Sequence, residues 1–484
     1  MRNSLTGMIA ATALFFSLAC MLFSLPGKPA VQSTPAKATS GQSAVPGPGS
    51  TRPAATDTSA PARLNPNGPF ILFKGQSGIW ITNPDGSFPT RVSDYAVQGD
   101  LRHAISPTHD RLALVMQNDQ GLDLVLVKIP GGGKETIAHL LSISQSEATN
   151  NQTGPKAFAQ YAIRDYDSVA WQPGTGRYLA FMGAIKGPTS DLYLYDTQTK
   201  AITQLTNGPS QAVLPNWSPD GQYILHFGVS WVPPFGGAIG PANRMDGSWT
   251  VRAADGKVIS MPKTKASMAV LVGWQDDAHY ITYDSNDTCY AQNLRSVDAG
   301  TGKASPLLSS SFYYYISQSP DNRALLFSSA PGCPSSLGEG VFLLPDGQTD
   351  PVRLLDKRAY EIDWMPESRL FNAYPEALLS ADGKTRYDPP VYDSSFHPAV
   401  SKAGYQAWEV IQNQKGRVEV KLPAGDWQTI LTGSVAQLIW DPEDGKTLLC
   451  ALSDGSLYAA SYPDFSPQLM GKLGGSVDQA LWLP

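Results

Sequence analysis

Charge is scarce in this chain: 16% of its 484 residues are Asp, Glu, Lys or Arg, and the formal net charge is −6. No basic stripe is available to neutralise phosphates, which excludes a nucleic-acid footprint. Histidine is rarer still, with six copies at His103, His109, His139, His226, His279 and His397, none in H-E-x-x-H or another zinc spacing. The sequence also lacks an EF-hand loop, a phosphate-binding Gly-rich loop and a G-x-S-x-G nucleophile elbow. No metal and no cofactor is therefore expected. Cysteine numbers four, with no pair at metal spacing. Long amphipathic helical periodicity is missing. What is plentiful is glycine (44), proline (39) and tryptophan (11), which suits many short strands joined by turns. The class is all-β.

The one long apolar run, Met8 to Leu25, follows Arg2 and carries no charge. Residues 1–25 are read as a signal peptide or an N-terminal membrane anchor. Three forms stay open: an uncleaved single-pass anchor, a lipoprotein, and an ordinary cleaved signal. In the lipoprotein, Cys20 after Ser17-Leu18-Ala19 would be the lipidated residue, although the apolar run continues past it through Met21-Leu22-Phe23. Each form places the remainder outside the cytoplasmic membrane. Residues 26–68 are Pro, Ala, Ser, Thr and Gly with almost no large apolar side chain. Such a stretch cannot offset its ordering entropy and is expected to be a disordered linker, with a reach of roughly 35 Å.

From residue 69 onward a strand-ending signature recurs. Its clearest copy is Leu214 to Phe227, LPNWSPDGQYILHF, where a strand closes on Trp217-Ser218-Pro219. Pro219 stops the ladder, Asp220-Gly221 suits a two-residue hairpin turn, and Tyr223, Leu225 and Phe227 share a face of the next strand. The other copies are Ile105-Ser106-Pro107, Trp171-Gln172-Pro173, Trp274-Gln275-Asp276, Gln318-Ser319-Pro320, Trp364-Met365-Pro366, Phe396-His397-Pro398, Trp440-Asp441-Pro442 and Trp482-Leu483-Pro484. Second, third and fourth strands follow, such as Tyr178 to Phe181, Leu192 to Tyr195 and Thr203 to Leu205. Most intervals suit a four-stranded propeller blade. Trp217-Ser218-Pro219-Asp220-Gly221 resembles the W-S-P-D-G core of the TolB-like (WD40-like, PD40) propeller repeat. That resemblance implies a single β-propeller over residues 69–484, and little about function, because such repeats serve scaffolds, binding proteins and accessory domains of peptidases.

The chain ends at Trp482-Leu483-Pro484, a first strand with no second strand after it, and Phe70 to Phe73 is a second strand with no first before it. Pairing of the terminal strands would close the ring and remove its open edge. Nine signatures are present, but Trp364 to Phe396 is a short interval for four strands. Eight blades are expected, with that interval degenerate, and seven or nine stay open.

Turns after first and third strands share one face and are short. The long insertions follow second or fourth strands and so share the opposite face: Gly183 to Ser190, Gly228 to Gly247, Asp284 to Asn293 and Ser328 to Gly340, with the link His139 to Asp167. Long loops gathered on one face mark a binding surface. Within Gly228 to Gly247, Trp231, Phe235 and Arg244 are residue types that dominate binding hot spots. Cys289 and Cys333 fall in corresponding loops of adjacent blades and are expected to form a disulfide outside the cytoplasm. Cys450 lies in an apolar strand as a buried thiol. Phe312 to Tyr315 reads as strand packing. Asp165, Asp167 and Asp393 are carboxylates near a channel mouth, where caps or solvated turns are the commoner role; no catalytic residue is assigned. The function expected is a monomeric, membrane-tethered propeller that binds a protein or cell-envelope component. The alternative is a glycan hydrolase or lyase with its site at the channel mouth.

Overall fold

The computed structural model describes residues 63–94, 100–144, 155–164, 167–232, 242–260, 268–285, 292–308, 316–329, 337–359, 361–365, 370–374, 377–390 and 394–483. The N-terminal segment with Cys20, the linker up to residue 62, and Phe235, Asp165, Cys289, Cys333 and Asp393 lie outside the described residues. Among the described residues no helix is long and apolar enough to cross a membrane.

The described residues build nine antiparallel sheets, eight of four strands and one of three. They follow one another along the chain as blades 1 to 9, and the first strands of most neighbouring blades contact one another, which places them around the axis. This is a nine-bladed β-propeller. Blade 1 is closed by the last strand, Val477–Leu483, which pairs antiparallel with Phe70–Gly75 from Phe70↔Leu483 to Gly75↔Val477. Apolar side chains fill the space between neighbouring blades. Ile71 and Phe73 of blade 1 pack against Leu449, Ala451 and Leu457 of blade 9, so the seam beside the closing strand is a buried apolar one. Cys450 is buried in the core between blades 8 and 9, and burial pushes its thiol up to about 12.

The signature has a hydrogen-bonding rationale at each position. Ser218 Oγ accepts from the backbone N–H of Gln222 and Tyr223 and donates to Asp220 Oδ1 at 2.6 Å. The connection is therefore wider than a two-residue turn: the strands end at Trp217 and resume at Tyr223, and Gly221 takes φ +69°. Ser319 donates to Asp321 in the same way, and Ser106 donates to Asp110, four positions on. In four blades the indole of the signature Trp reaches back one blade, whereas that of Trp274 is buried without a hydrogen-bond partner among the described residues. Trp171 donates to Ala104 O, Trp217 to Ala170 O, Trp364 to Ser317 O and Trp440 to Ala399 O, at 2.8–3.2 Å. Blade 6 has Gln318 instead of Trp, and its Nε2 donates to Trp274 O at 2.6 Å.

Blade 8 explains the expected count of eight. Phe396-His397-Pro398 does not end a strand; it lies inside Ser394–Val400 at a bulge, with His397 at φ +47°. The equivalent of the signature serine is Ser401, whose N–H bonds Tyr405 O as that of Ser218 bonds Tyr223 O. Ser401 Oγ accepts from Ala403 and Tyr405 N–H. With the strand end moved to Val400, the stretch from Glu361 to Tyr387 holds four short strands, Glu361–Trp364, Leu370–Tyr374, Ala377–Ser380 and Arg386–Tyr387. Blade 7 is complete.

Blade 2 departs from the pattern. Its first strand is replaced by a short helix, Leu101–Ala104, followed by a single bridge from Ile105 to Leu112. The link after His139 is not a plain loop either. Lys134–Ser142 is a strand of blade 2 and Pro155–Arg164 a helix. Ala162 of that helix packs on Val213, Phe227 and Val229 of blade 4.

Candidate functional site

Starts of first strands and ends of second strands meet on the long-loop face, and there the channel mouth carries a charged network. Asp100 caps the helix that stands in for the first strand of blade 2, its side chain accepting from Arg102 N–H. The Arg102 guanidinium returns to both carboxylate oxygens of Asp100. From blade 1, Gln479 donates through Nε2 to Asp100 Oδ1 at 2.5 Å and accepts at Oε1 from Leu101 N–H at 2.8 Å. On the blade 3 side, Asp167 accepts from Asp100 N–H at 2.7 Å and meets His103 Nδ1 at 3.0 Å. Lys74 and Asp478 of blade 1 belong to the same charge group, and the field of Asp363, on the first strand of blade 7, reaches Arg102.

The titration behaviour follows from these contacts. Burial works to raise the Asp100 pKa, but the hydrogen bonds from Arg102 and Gln479 outweigh it and hold the carboxyl down at about 2. Asp167 is likewise lowered against its own burial by His103. The His103 imidazole is raised by Asp167, again against burial. Burial dominates at Lys74 and lowers it, while the neighbouring carboxylates oppose that. Acid–base hydrolysis by paired carboxyls needs one of them held protonated near neutrality. Here both are pushed towards the ionised form and engaged by backbone and side-chain donors. The arrangement is a latch that ties the irregular segment of blade 2 to blades 1 and 3. Replacing Asp100 by Ala is expected to lower stability by about 2 kcal/mol, by loss of a helix cap and of charge-assisted bonds. Thermal unfolding of D100A beside the parent checks this, and an unchanged midpoint would remove the latch.

Of the three carboxylates singled out from the sequence, Asp167 is in the network; Asp100, His103, Arg102 and Gln479 were not foreseen. Among the described residues, no group of three or more His, Cys, Asp or Glu side chains could hold a metal ion.

The second feature of this face is in blade 4. Strands Tyr223–Val232 and Ala242–Arg252 are the two longest in the described structure, and they stay paired well beyond the blade, with Ser230 opposite Arg244 and Trp231 opposite Asn243. The described residues of the Gly228 to Gly247 insertion thus form two antiparallel arms of a ribbon. The register of the two strands shifts between Gly228 and Val229, and Val229, opposite Gln211, is the last residue still paired with the first strand of the blade. Trp231 and Arg244 lie on its strands, which is all the structure describes of them.

No protein-family profile matches the chain, and no curated protein matches it. Solved structures with a related fold do. TolB from Acinetobacter baumannii is 12% identical with a TM-score of 0.25, over 76% of this chain and 81% of that one. The Porphyromonas gingivalis dipeptidyl peptidase 4 is 8% identical with a TM-score of 0.41, over 85% of this chain and 60% of that one. A eukaryotic initiation factor is 12% identical with a TM-score of 0.38, over 86% and 98%. TolB proteins are among the solved structures that match this chain. The fold itself rests on the strand pairings above.

Proposed function

We propose that this chain is a membrane-tethered, extracytoplasmic propeller that binds a protein or cell-envelope component through its long-loop face. The observation that carries this reading is the blade 4 hairpin, a paired ribbon that outruns its blade on that face. Ribbon pairing fixes backbone groups before a partner arrives and so lowers the ordering cost of binding. The carboxylates at the adjacent channel mouth are engaged with one another's elements, which favours recognition over acid–base chemistry. The apolar run of residues 8–25 supplies the tether, and residues 26–68 supply the reach. Trp231, Phe235 and Arg244 are proposed as contact residues, and a Cys289–Cys333 disulfide as a brace between neighbouring loops.

The hairpin can be removed without disturbing the blade. Val229, which pairs with Gln211 of the first strand and with Met245, still belongs to the blade, so residues 230–244 can be replaced by Asn-Gly, which suits a two-residue hairpin turn. The shortened protein is expected to fold with unchanged thermal stability and to lose its partner in a pull-down from envelope extract. Equal recovery of the same partner by the parent and shortened chains would sink the assignment.

A further inference from the structure

Between blades 3 and 4, on the long-loop face, lies a cavity of about 390 Å³, in the size range of small-molecule sites. Three side chains give it its chemistry. Asp191, which opens a strand of blade 3, is 1% exposed. It accepts from Thr206 Oγ1 and Gly208 N–H at one oxygen and from Thr189 Oγ1 and Gln204 Nε2 at the other, at 2.8–3.4 Å. All four donors are neutral. No Lys or Arg pairs with it among the described residues. Trp249 lines the same cavity, its ring stacked on His226 at 5.7 Å and 22°. The backbone is shaped around that ring: a Cβ at Gly228 would stand 2.3 Å from Trp249 Cζ3. His226 is 5% exposed, and its Nε2 is buried without a hydrogen-bond partner among the described residues.

We infer that this cavity binds a small organic cation with N–H donors, a primary ammonium. The His226 Nδ1 lies 3.4 Å from Phe227 O, which makes Nδ1 the protonated nitrogen and leaves Nε2 as an acceptor. An acceptor without a donor, a tryptophan ring and a buried carboxylate without a countercharge converge on one ligand class. A hydroxyl ligand offers little to a carboxylate that already holds four hydrogen bonds. A cation offers the missing charge, and the indole ring adds cation–π attraction. Burial raises the Asp191 pKa, in keeping with a carboxylate that has no resident cation. This inference is independent of the hairpin's partner, because none of its residues lies beyond Gly228 on the ribbon.

The test is calorimetric titration of the full-length chain in detergent at neutral pH with n-butylamine, beside 1-butanol, glucose and tetramethylammonium. Saturable binding of butylamine is expected, with none for butanol or glucose. Tetramethylammonium, which has no N–H for His226, should bind about tenfold more weakly or worse. H226F keeps a ring on Trp249, removes the acceptor and should cost about tenfold in butylamine affinity. N207W, at an exposed rim position, should block entry altogether. Thermal unfolding of both variants near the parent midpoint guards against misfolding. Binding unchanged in both variants, binding of butanol as tight as that of butylamine, or no butylamine binding up to about 10 mM would overturn the inference.

Discussion

Removing Val477–Pro484 is expected to abolish cooperative unfolding of the propeller. The deletion takes one strand but opens the ring at its only covalent gap. It strips Phe70–Gly75 of its inner partner and exposes the apolar seam of Ile71 and Phe73 against Leu449 and Leu457. It also removes Gln479, which holds Asp100 and Leu101. An unpaired edge beside bare apolar surface invites association as well as unfolding. Folded proteins hold a margin of about 5–15 kcal/mol, and loss of a whole strand with its seam is of that order. The truncated chain should show a broad, early melt by circular dichroism and fast amide exchange in residues 70–75. A sharp melt at the parent temperature would mean that the terminal strand only decorates the ring.

Acidification should destabilise the protein through His226 well before the carboxylates titrate. Burial pushes this imidazole down to about 4, from an ordinary value of 6.5. Between those values the unfolded chain binds a proton that the folded chain refuses, so stability falls as pH falls. The neutral imidazole thus accounts for about 3 kcal/mol of stability that is present at pH 7 and gone near pH 4. Asp100 and Asp110, each held at about 2, lose their contribution only below the ordinary carboxylate range. Asp191, raised by burial in the same cavity, gives a slope of opposite sign just above that range. The difference between parent and H226F isolates the histidine. Urea unfolding at pH 7 and pH 4.5 should show the parent losing about 2–3 kcal/mol more than H226F. Equal losses in the two proteins would assign the acid sensitivity elsewhere.

The fold was legible because each blade must solve the same local problem, a turn whose backbone N–H groups need an acceptor. Ser218 and Asp220 solve it in a form that sequence displays. Reading became less secure where the problem was solved differently. Blade 8 carries its serine at Ser401 without a Trp before it or a Pro after it, while the bulge at His397 offers a more conspicuous Pro398. Blade 2 uses a helix in place of a strand, and four residues are too few to show helical periodicity. Closure was visible because the two ends carry complementary halves of one blade.

The charged latch was only partly legible. Asp167 could be placed at the mouth from its position before a first strand. Its partner His103 is 64 positions away, and Gln479 lies 379 positions from Asp100. Nothing local in sequence joins them; only ring closure does. His226 was hidden for another reason. It alternates along an apolar strand, where a core histidine with its bonds satisfied is the ordinary expectation, and its unpartnered nitrogen emerges only from the packing of Trp249 and Gly228.

The central claim, that the long-loop face is the binding surface, is tested most directly by site-specific photo-crosslinking in intact envelopes. Lys186 and Asn207 are exposed on the long-loop face, and Asp220 and Glu443 on the short-turn face. A crosslinkable residue at Lys186 or Asn207 is expected to yield one common adduct that Asp220 and Glu443 do not give. The same adduct from Asp220 and Glu443, with none from the first pair, would place the partner on the wrong side of the propeller and contradict the account.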